Sequence, residues 1–68
     1  MGTIIEEKEF ETDRDAILYL REKYRILHHP RKYYWGWYVP PQFFPDGNCE
    51  VRIILEENQR WKLKIQRL

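Results

Sequence analysis

Serine is absent from these 68 residues, and the only aliphatic hydroxyls belong to Thr3 and Thr12. A Ser-His-Asp mechanism therefore has no nucleophile to work with. The single cysteine, Cys49, cannot form an internal disulfide, which excludes a disulfide-stapled scaffold and favours a reducing, cytoplasmic compartment. No apolar run approaches the roughly 20 residues of a membrane-spanning helix. The opening Met1-Gly2-Thr3-Ile4-Ile5-Glu6 turns acidic too early for a secretory signal. An excess of charge of either sign is also missing. Twelve Lys and Arg against 11 Asp and Glu leave a net charge of +1, unlike the strongly basic chains that coat nucleic acid. Metal-ligand spacing is lacking as well: His28 and His29 are adjacent, so their side chains diverge, and Cys49 stands alone. With no catalytic, metal or cofactor motif, the chain reads as a non-enzyme without a cofactor.

What is present is a composition able to fold, with 43% hydrophobic and 34% charged residues. A chain this short buries only about 60% of its unfolded surface, so residues 1–68 form one domain. Charge is segregated along it. Residues 1–15 carry Glu6, Glu7, Glu9, Glu11, Asp13 and Asp15 against Lys8 and Arg14, whereas residues 16–45 carry Arg21, Lys23, Arg25, Arg31 and Lys32 against Glu22 alone.

The pattern predicts α+β architecture in the order β-α-β-β-β, a mainly antiparallel sheet with one helix packed on one face. Residues 3–11 suit a strand whose alternation is poor, since Ile4 and Phe10 would share a face with Glu6 and Lys8. This places the strand at an edge or gives it a bulge. Thr12 followed by Asp15 reads as a helix N-terminus, and acids in the first turn suit the helix dipole. Ala16, Ile17, Leu20, Tyr24 and Leu27 recur as an apolar stripe, broadened by Leu18 and Tyr19. Pro30 is expected to stop the helix near His28. Residues 33–39 read as one aromatic strand, with Tyr33, Trp35, Trp37 and Val39 on one face and Tyr34, Gly36 and Tyr38 on the other. Pro40-Pro41 ends it, and Pro45-Asp46-Gly47-Asn48 is a turn.

The last third predicts a hairpin whose register follows from parity. Cys49, Val51, Ile53 and Leu55 alternate with polar residues, as do Trp61, Leu63 and Ile65. Pairing Leu55 with Trp61, Ile53 with Leu63 and Val51 with Ile65 leaves 57–59 as a three-residue loop. On the outer face this sets Arg52 opposite Lys64, a like-charge pair that calls for an acid nearby, with the acidic first strand as the internal candidate.

Seven of the chain's aromatics fall between Tyr33 and Phe44, more than one helix can cover. Tyr34 and Tyr38 flanking Gly36 suggest an open platform, with Trp35 and Trp37 as core or, if the faces are inverted, as the exposed set. Arg31 and Lys32 run directly into this segment, and Arg52, Lys62 and Lys64 form a second basic stripe on the terminal hairpin. These residues support a protein–protein interaction module acting through an exposed aromatic and basic sheet face. Its expected role is that of an adaptor or small inhibitor, of a size that phages and plasmids often encode, or of a self-associating chain. The alternative is single-stranded nucleic-acid binding, with Tyr34 and Tyr38 stacking bases and the cations pairing phosphates.

Overall fold

The acidic N-terminal segment forms an edge strand, β1 (Thr3–Phe10), in the computed structural model, which describes residues 2–26, 30–33, 35–45 and 47–68, Tyr33 in its backbone only. Next come α1 (Asp13–Tyr24), β2 (Arg31–Tyr33), β3 (Gly36–Val39), a short 3-10 turn (Pro41–Phe43), β4 (Cys49–Leu55) and β5 (Trp61–Arg67). The five strands make one antiparallel sheet in the order β1-β5-β4-β3-β2, and α1 packs against β1, β5 and β4 on one face. The class is α+β, as the pattern of the sequence predicts.

Local signals place several elements correctly. Thr12 caps α1, its hydroxyl accepting a hydrogen bond from the Asp15 amide at 3.1 Å, a contact that contributes about 1 kcal/mol. β1 is both an edge strand and bulged: its register shifts between Ile4 and Glu6. The bulge resolves the poor alternation, since Ile4 pairs with Gln66 on the open face while Phe10 pairs with Trp61 on the helix face. β4 and β5 adopt the register expected from parity, Leu55 with Trp61, Ile53 with Leu63 and Val51 with Ile65. Glu56 and Arg60 close the loop, Gln59 taking the left-handed conformation at φ 68°. Gly47 at φ 72° donates to the Phe44 carbonyl in the turn before β4; Asp46 lies outside the described residues.

Two expectations are corrected. Residues 33–39 are not one strand: Tyr33 pairs with Gly36 and Lys32 with Trp37, so the chain reverses between β2 and β3 and adds a fifth strand. Aromatic β-propensity marks extended backbone but not the point of reversal. Here that point lies beside β4, where the Leu55 amide donates to the Trp35 carbonyl at 3.0 Å. The helix also ends early, at Tyr24. Arg25 takes the left-handed conformation at φ 56°, and Ile26 is then buried in the core. Pro30 therefore does not set the helix end, and Leu27, His28 and His29 lie outside the described residues.

The core lies between α1 and the odd-numbered face of β4 and β5. Ala16 and Leu20 of the helix meet Val51, Ile53, Leu63 and Ile65, all essentially without solvent exposure, with Val39, Cys49, Ile26 and Phe44 around them. Each buried Leu or Ile contributes about 2 kcal/mol. Among the described residues no buried side-chain polar atom lacks a partner, and no helix is long and apolar enough to cross a membrane.

Candidate functional site

The β2–β3 hairpin and the sheet face opposite α1 together place most of the residues that the sequence singles out. Strand pairing defines a row across this open face: Glu7 of β1, Lys64 of β5, Arg52 of β4, Tyr38 of β3 and Arg31 of β2. The parallel row runs Glu9, Lys62, Ile54 and Gly36. The Arg52–Lys64 juxtaposition is therefore real, and Glu7 stands next to it as the acid that the like charges call for.

Electrostatics on this face are a mosaic of both signs. The Arg52 guanidinium lies 3.4 Å from the Glu50 carboxylate and stands over the Tyr38 ring at 5.9 Å. The Tyr38 hydroxyl donates to Glu50 at 3.3 Å. Lys62 pairs with Glu56 at 3.0 Å, and Arg60 with Glu9 at 3.4 Å. Glu56, through its hydrogen bond and then its charge, and Glu7 by its charge, push the Lys62 ammonium above its ordinary range. Glu7, Ile54, Glu56, Lys62 and Lys64 line a shallow hollow of about 220 Å³ there.

The remaining predicted site residues lie elsewhere. Trp37 and Lys32 point to the helix face, with the Lys32 ammonium 4.8 Å from the Trp37 ring centroid and the Trp37 indole donating to Asp13 Oδ2 at 2.9 Å. Trp35 stands in the hairpin turn with 73% of its surface exposed. Tyr34 lies outside the described residues. Gly36 leaves no gap for a ligand, because a Cβ at that position would sit 1.7 Å from the Ile53 carbonyl oxygen. It is a glycine because β4 backbone already occupies the space. Cys49 is buried, as its parity predicts.

One polar cluster escapes a reading of the sequence. After the bulge Glu6 faces the helix, where it accepts hydrogen bonds from the Tyr19 and Tyr24 hydroxyls and from Lys23 at 3.1 Å. Lys23 also donates to the Tyr19 hydroxyl at 2.9 Å. Burial pushes the Glu6 carboxyl up, but the donors Tyr19, Tyr24 and Lys23 together outweigh it and hold the group below the usual carboxylate range. Burial first and then the bond to Glu6 push the Tyr24 phenol up to about 12. The i, i+4 spacing of Tyr19 and Lys23 and the shared parity of Glu6 and Phe10 were the available signals; that α1 covers this face of β1 was not visible locally. This cluster fastens β1 to α1.

No protein-family model matches the chain, and neither a curated protein nor a solved structure matches it.

Proposed function

We propose that this chain is a non-catalytic protein-binding module that engages its partner through the β2–β3 hairpin and the open sheet face beside it, as an adaptor or inhibitor would. The observation that carries this reading is Trp35, 73% exposed at the hairpin turn. A tryptophan brings about 150–250 Å² of surface to an interface and is the residue type most often found as an interface anchor. Arg31 and Lys32, both exposed, lie on the same hairpin, and the alternating charges of the adjoining face suit a folded partner with its own charge mosaic.

The test is a photo-reactive amino acid placed at Trp35 in cells, with exposed Arg67 at the opposite end of the sheet as control. A discrete protein adduct from position 35 alone, whose purified partner binds Trp35→Ala at least about thirtyfold more weakly, supports the reading. Equal labelling at both positions sinks it. The row Arg31, Tyr38, Arg52 and Lys64 favours a second reading, single-stranded nucleic-acid binding. Against it stand Glu7, Glu9, Glu50 and Glu56 on or beside the same face. Tight oligonucleotide binding that collapses with added salt and with Lys62→Ala plus Lys64→Ala would promote it.

A further inference from the structure

On the β3 side of α1 an open groove of about 310 Å³ separates the helix from the sheet, lined by Asp13, Arg14, Ile17, Leu18, Arg21 and Trp37. Positions 14, 17, 18 and 21 fall at i, i+3, i+4 and i+7, so one stripe of the helix forms the wall. Its middle is apolar: Leu18 is 44% exposed, and Ile17 and Trp37 are half-buried. Its ends are cationic. Arg14 and Arg21 are exposed and join no ion pair among the described residues, while Lys32 stands over the Trp37 indole. Asp13, the one acid in the lining among the described residues, accepts the Trp37 indole hydrogen bond. That bond ties the sheet wall of the groove to the helix wall.

An apolar centre between two arginines is complementary to a ligand with the opposite pattern. We propose that this groove binds an acidic peptide segment of a protein partner, one apolar side chain seated between Leu18 and Trp37 and flanking carboxylates paired with Arg14 and Arg21. Guanidinium groups match carboxylates in a two-point geometry, and an apolar side chain covers Leu18 and Ile17, which a phosphate backbone would leave bare. The inference rests on the protein-binding reading and names the chemistry of the partner, at a surface separate from the Trp35 turn.

The full chain titrated with a synthetic peptide bearing glutamates on either side of a phenylalanine tests it by NMR. The expected result is movement of the Trp37 indole N–H resonance and of the Arg14, Leu18 and Arg21 amides. Affinity should fall about tenfold or more in Arg14→Glu plus Arg21→Glu, a variant whose thermal melt should match that of the parent. Replacing the peptide's phenylalanine by alanine should weaken binding several-fold. Equal binding of a lysine-for-glutamate peptide, shifts confined to the open sheet face, absence of shifts at millimolar peptide, or tighter occupation of the groove by an oligonucleotide would each overturn the proposal. The cross-link at Trp35 does not use this groove, so failure here with a partner still captured there removes the groove alone.

Discussion

Glu6 and Glu7 are neighbours in the chain and opposites in the fold. Glu6 turns toward α1, where three donors surround its carboxylate, while Glu7 turns toward the open face opposite Lys64. Leu63 and Lys64 make the same contrast on β5, the first without solvent exposure beneath the helix and the second half-buried on the open face. Within one sheet the helix side therefore carries the buried apolar contacts and the other side carries charges that remain in contact with solvent. An interaction is worth most where water has been removed and the partners are fixed.

The sharpest break of that contrast is Gly36→Ala. Its added methyl would collide with the Ile53 carbonyl, so urea unfolding should show a loss of about 3 kcal/mol. Leu63→Ala should cost about the same by leaving a cavity, whereas Lys64→Ala next to it should change stability by less than about 0.5 kcal/mol. Equal effects at 63 and 64 would mean that the two faces are not energetically distinct.

Glu6→Gln should destabilise by about 1 kcal/mol or more, because it replaces a charged acceptor for three donors. It also carries a pH signature. Since the folded-state pKa of Glu6 lies below its ordinary value, its contribution is present above the unfolded-state pKa and is lost as pH falls through the folded one. The acid limb of the stability profile should therefore flatten in Glu6→Gln. Tyr24 works in the other direction: with its phenol raised to about 12, its contribution is intact below pH about 10, the ordinary value, and declines as pH rises toward 12. Tyr24→Phe should remove that alkaline decline, read by circular dichroism melts at increasing pH. The smallest effect belongs to Glu7→Gln, within about 0.3 kcal/mol and erased by salt, as expected of a charge on a solvated face.

Much of the scaffold was legible because its signals are local. The Thr12 cap lies three residues from the amide it accepts. The β4–β5 register followed from two odd-numbered apolar sets and a three-residue loop, and the acid that the Arg52–Lys64 pair required was found at Glu7. The helix end and the aromatic segment were not legible in this way. Arg25 breaks the helix so that Ile26 can enter the core, and β2 folds back on β3 beside a strand nearly twenty residues further along.

The candidate site divides along the same line. Arg31, Tyr38, Arg52, Lys62 and Lys64 were expected together and share the open face: strand parity assigns Tyr38, Arg52, Lys62 and Lys64 to it, and the chain reversal brings Arg31 opposite Tyr38. Lys32 was expected with them but lies on the helix face, because the chain reversal sets which residues of β2 oppose β3, whereas Trp37 lies on the face opposite Tyr38, where parity places it.

The sequence by itself therefore determined the class of fold, the helix start and the terminal hairpin, since each depends on residues within a few positions of one another. Only the tertiary structure decided that Glu6 faces the helix, that Gly36 is filled by β4 and that Trp35 stands in solvent. These depend on the packing of α1 over β1, a backbone approach and a reversal whose energies come from contacts distant in the chain, which no local period records.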